Sequence, residues 1–103
     1  SRISLLKLDV EGYEPLVLDG SSTLLAEHRI DIIYFEVCPQ LLERAGFVTT
    51  RTGTQLQNHG YMLHRLQSGH LVPAQPEDMK EVDLENWIAV SPRLSVNEIL
   101  RTS

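Results

Sequence analysis

Ile30-Asp31-Ile32-Ile33-Tyr34-Phe35-Glu36-Val37 constrains the fold more than any other segment. It is apolar, rich in β-branched and aromatic residues, and too short for a stable buried helix, so it reads as a strand. Ile3-Ser4-Leu5-Leu6-Lys7-Leu8-Asp9-Val10 has the same character and reads as a strand covered on both faces. Between the two lies a helix signal. Glu11-Gly12 punctuates the first run, and Pro15 suits a first helical turn. Glu11 and Glu14 sit where a helix dipole favours negative charge. Gly20 stops this helix, and Ser21 and Ser22 can cap a second short one over residues 23–27.

The remaining chain alternates in the same way. Pro39 and Gly46 bracket a short helix over 40–45, and another is expected over 54–59 with Gly60 as its stop. Residues 61–66 alternate weakly and read as a third strand, with a turn after it at Ser68-Gly69. Residues 75–85 read as an acidic loop, and 86–90 as a fourth strand. Ser95 and Glu98 have capping-box spacing, which predicts a helix over 96–101. The order is strand, helix, strand, helix, strand, strand. That is an α/β layer structure of about four strands, the early ones parallel and the last two antiparallel.

Composition narrows the function classes. The chain has 103 residues and a net charge of −5, and its nine Lys and Arg are scattered. One domain is expected, and a nucleic-acid groove is not. No apolar run approaches the roughly 20 residues needed to span a bilayer. The single Cys38 excludes an internal disulfide framework and a cysteine-based zinc site. With no signal-peptide layout, a cytoplasmic location is expected.

Candidate chemistry gathers at one edge. Open α/β sheets bind ligands beyond the carboxyl ends of their strands. Asp9 ends the first strand, Glu11 comes just after it, and Glu36 nearly ends the second. Side chains alternate along a strand, so Lys7 shares a face with Asp9, and Tyr34 with Glu36. If those faces coincide, the four form a polar cluster in an apolar sheet. Such charges need partners. The structural alternative is that Lys7 neutralises Asp9 or Glu36 and that Glu11 caps the next helix. His28, His59, His64 and His70 have no metal-binding spacing and read as surface or helix-end residues. Cys38 and Trp87 read as packing residues. No G-x-G-x-x-G and no P-loop occurs.

The segment Leu6-Lys7-Leu8-Asp9-Val10-Glu11-Gly12-Tyr13-Glu14, with Val17-Leu18-Asp19-Gly20 after it, resembles the FkbM-type methyltransferases, which carry a K-I-D-V-E-G-x-E motif and then V-L-x-G. Ile32 to Val37, Gly60-Tyr61 with Leu63, and Asn86 to Val90 are similar to later strands of that family. The stretch 40–54 matches weakly.

The resemblance implies a class I, Rossmann-like fold that uses S-adenosylmethionine. It equates the four strands with the fourth to seventh of the family sheet, whose spatial order is four, five, seven, six. Residues 1–103 would then be a single partial domain, the C-terminal half, lacking the glycine-rich cofactor turn. Carried over by motif, Asp9 lies near the cofactor's sulfonium and the substrate, Glu11 on the loop into the next helix, and Glu36 towards the substrate pocket. O-methyl transfer to a small-molecule hydroxyl is the implied reaction. Alone, the chain is expected to be inactive and not to bind S-adenosylmethionine tightly. The expected partner is a separate N-terminal half or a second copy, pairing through an exposed first strand. A non-catalytic assembly module is the alternative.

Overall fold

The computed structural model describes residues 3–8 and 12–94. The chain runs β1 (Ile3–Leu8), α1 (Glu14–Gly20), α2 (Ser22–Ala26), β2 (Ile30–Val37), α3 (Pro39–Arg44), α4 (Arg51–Asn58), β3 (Met62–Gln67), β4 (His70–Pro73), a 3-10 helix (Pro76–Glu81) and β5 (Glu85–Val90). The helix expected over 96–101 lies outside the described residues.

The five strands form one sheet in the order β1-β2-β5-β3-β4. β1 and β2 are parallel, while β5 is antiparallel to both β2 and β3. The four strands expected from sequence therefore lie first, second, fourth, third, as the resemblance implies. The fifth strand, β4, is an addition to those four. It forms a hairpin with β3 through the expected turn at Ser68-Gly69, where both residues take positive φ. The acidic stretch contains the 3-10 helix, closed by a capping box in which the Gln75 N–H donates to Asp78 Oδ2 at 2.9 Å.

The register fixes two faces. Leu8, Phe35 and Trp87 lie side by side across β1, β2 and β5, as do Ile33, Ala89 and Leu63 across β2, β5 and β3. These side chains are buried in one cluster with Leu18 of α1, Leu25 of α2, Leu42 of α3, Leu56 of α4 and Met79 of the 3-10 helix. Every helical element thus sends a residue to the same face. Helix α4 sits close to the 3-10 helix because Gly53 has no side chain there; a Cβ would lie 2.8 Å from Met79 Sδ. Tyr61 closes the bottom of the core, its hydroxyl donating to the Ile30 carbonyl at 2.5 Å.

The other face is different. Leu5 is 60% exposed and Met62 49%. Ile32, Tyr34 and Ile88 are half-buried, and Glu36 and Asn86 are exposed. This corrects the reading of the first strand as covered on both faces. Its apolar content is uniform, but β1 is an edge strand and the described helices lie on one side. His64 also departs from expectation. It belongs to this second face, paired with Ile88 and Pro73, and is only 4% exposed.

Candidate functional site

The carboxyl ends of β1 and β2 lie side by side, because Lys7 pairs with Tyr34 and Leu8 with Phe35. Across β2, Glu36 pairs with Asn86 of β5. Lys7, Tyr34, Glu36 and Asn86 therefore share the less covered face. Together with Leu8 they line a depression of about 210 Å³. The sequence left open whether the Lys7 and Tyr34-Glu36 faces coincide, and the register makes them coincide. Asp9, the fourth member of that cluster, and Glu11, which follows it in sequence, lie outside the described residues.

Within this group, Lys7 does not neutralise Glu36. Its Nζ lies 5.8 Å from the centroid of the Tyr34 ring, a distance at which an ammonium is attracted by the ring face. Among the described residues Lys7 and Glu36 form no ion pair, so the Glu36 carboxylate is exposed and open to a hydroxyl, an amine or a cation. Asn86 adds an amide with two donors and an acceptor. Nothing in the sequence marked Asn86, since its place depends on β5 inserting between β2 and β3.

Gly12, just ahead of α1, is held by its neighbours. Gly12 has φ +97°, and a Cβ there would lie 2.4 Å from the Leu41 carbonyl oxygen of α3. Only glycine fits that combination. The Gly12 N–H donates to Glu14 Oε2 at 3.1 Å, and Glu14 is buried in the first turn of α1. Helix α3 begins at Pro39, after half-buried Cys38 as its N-cap residue. Gly12, ahead of α1, thus lies against the first turn of α3.

Behind the same edge, on the helix-covered face, Glu85 accepts from Arg65 Nε at 2.6 Å and Arg65 Nη2 at 3.1 Å. Trp87 Nε1 donates to the same carboxylate at 2.9 Å. The Arg65 bond holds the Glu85 carboxyl below the usual range, with a smaller lowering from Trp87. This fork ties β3 to the start of β5 and orients the strand that supplies Asn86.

Residues 1–68 match the family model described as the methyltransferase FkbM domain. The chain belongs to the FkbM methyltransferase family. The match covers β1, β2 and the carboxyl edge between them, and the family implies an S-adenosylmethionine-type cofactor in general. Comparison with curated proteins and with solved structures gave no match.

Other features of this FkbM-family chain lie apart from that edge. A cavity of about 410 Å³ opens near Met62, His64, Pro73 and Gln75, towards the opposite end of the sheet. Burial pushes the His64 pKa down, against a weaker upward pull from the Met62 backbone, and its Nδ1 has no hydrogen-bond partner among the described residues. His28 Nε2 lies 2.8 Å from the His59 carbonyl oxygen, a bond that requires the proton on Nε2. No three His, Cys, Asp or Glu converge as metal ligands among the described residues. No helix among them is long and apolar enough to cross a membrane.

Proposed function

We propose that this chain supplies the substrate-facing carboxyl edge of an FkbM-type O-methyltransferase acting on a small-molecule hydroxyl. The observation that carries the reading is the gathering of Lys7, Tyr34, Glu36 and Asn86 at the ends of β1 and β2, inside the family match for all but Asn86. Methyl transfer is an in-line displacement, in which much of the catalysis is positioning. A carboxylate serves it by orienting an acceptor hydroxyl or taking its proton. Asp9 has that role in this proposal and Glu36 supports it from the neighbouring strand. Glu11 falls in sequence between β1 and α1. Lys7 over Tyr34 gives the rim a positive charge that keeps an approaching acceptor close to the carboxylates.

In this proposal the described residues supply only part of the S-adenosylmethionine site. The depression of about 210 Å³ is below the roughly 300–1,000 Å³ usual for pockets that enclose a small molecule. The glycine-rich turn that would cradle the cofactor has no counterpart in the sequence. The chain alone is therefore proposed to be inactive and to bind the cofactor weakly. The exposed edge of β1, with Leu5 at 60%, is where a separate N-terminal half or a second copy would add strands. As a non-catalytic module, the chain would use the same edge without any transfer.

Amide-shift mapping with millimolar S-adenosylmethionine tests the catalytic reading. Shifts confined to Lys7, Leu8, Gly12, Tyr34, Glu36 and Asn86 are expected. Shifts elsewhere, or none, would overturn it. Light scattering across concentration tests the edge: association is expected for either reading, and a monomer at all concentrations contradicts pairing through β1.

A further inference from the structure

Glu14 is a buried carboxylate to which the proposed chemistry gives no task. It is 5% exposed, in the first turn of α1, and it accepts the Gly12 N–H at 3.1 Å. A buried carboxylate without hydrogen bonds is costly, and one that holds a backbone N–H beside a left-handed glycine fixes that peptide's direction. On its other side, Gly12 rests against the Leu41 carbonyl, in a space that no side chain could share. Leu41 belongs to the first turn of α3, and its backbone N–H donates to the Cys38 carbonyl at 3.1 Å. Cys38 lies two residues beyond Glu36. One chain of contacts therefore runs from Glu14 through Gly12 and Leu41 to the end of β2.

We infer that Glu14 is a positioning residue, clamping Gly12 onto the first turn of α3, beside the strand that bears Glu36. The inference rests on the catalytic reading for its purpose, but not for its geometry. Asp9 and Glu11 precede Gly12 by three residues and one residue, and Glu36 precedes Leu41 by five. Loss of the Glu14 bond frees Gly12 without removing any group of the proposed chemistry.

Hydrogen exchange on the full chain tests it, with Glu14→Ala and Glu14→Gln beside the unmodified protein. In the unmodified chain the Gly12 amide is expected to be protected at least about tenfold over an exposed amide. Glu14→Ala is expected to lose that protection while Ile33 and Phe35 keep theirs. Glu14→Gln, which retains an acceptor oxygen, is expected to restore most of it. Free exchange of Gly12 in the unmodified chain, or protection unchanged in Glu14→Ala, would overturn the clamp. The second readout is the cofactor-induced shift of Glu36. Its presence in the unmodified chain and reduction at least about twofold in Glu14→Ala support the link to the site. An undiminished shift in Glu14→Ala overturns that link. No shift in the unmodified chain defeats the catalytic reading, while Gly12 protection still decides the clamp by itself.

Discussion

The two faces of the sheet are built from similar residues and have different fates. Phe35 and Trp87 on one face are essentially inaccessible, sealed by the described helices. Tyr34 and Ile88, one position away on the same two strands, remain half-buried. Polar groups divide accordingly. On the sealed face, Arg65, Glu85 and Trp87 satisfy one another with short bonds. On the other, Lys7, Glu36 and Asn86 stay exposed around a depression. A sheet with one finished face and one available face can hold its fold with the first and offer chemistry on the second.

Substitutions can break that contrast. Trp87→Ala should cost the most, about 3–5 kcal/mol, as expected for a large aromatic in a packed core. Its cross-face neighbour substitution Ile88→Ala should cost under about 2 kcal/mol, because part of that surface is already wet. Urea denaturation of both variants checks the pair, and equal losses would erase the distinction. Gly12→Ala should cost about 2–4 kcal/mol, from the left-handed φ and the overlap with the Leu41 carbonyl.

Glu85→Gln weakens the Arg65 fork and should cost about 1–3 kcal/mol at neutral pH. Since the folded carboxyl titrates below its ordinary value of 4.5, its contribution is present above that value and fades as pH falls through the folded pKa. The difference in denaturation midpoint between the variant and the unmodified chain should therefore be smaller at pH 3 than at pH 7. The smallest effect belongs to the open face: Leu5→Lys should change monomer stability by less than about 0.5 kcal/mol, while weakening any association seen by light scattering.

Much of this frame was legible in the residues. Ile30–Val37 is the strand its β-branched content predicts, and Pro15 and Gly20 mark α1 to within a residue. The neighbour order came from the family resemblance and matches the sheet. β4 escaped because His70-Leu71-Val72-Pro73 is four residues ending in proline, a pattern that carries little periodicity and that only an edge strand tolerates. The 3-10 helix hid behind its acidic composition. Burial of His64 depends on cross-strand neighbours far along the chain. At the site, alternation put Tyr34 with Glu36, and the β1–β2 register put Lys7 on their face. Asn86 and the Glu14–Gly12 bond were not legible, since both depend on how segments meet in space.

The available face is the heart of the account: it belongs to a methyltransferase-family sheet, and under the proposed function it holds the cofactor only weakly when unaided. Calorimetric titration of S-adenosylmethionine into the 103-residue chain measures this directly. The account predicts a Kd weaker than about 1 mM, a binding free energy smaller than about 4 kcal/mol. A Kd near about 1 μM would contradict it, because a complete cofactor site would then be present in this chain.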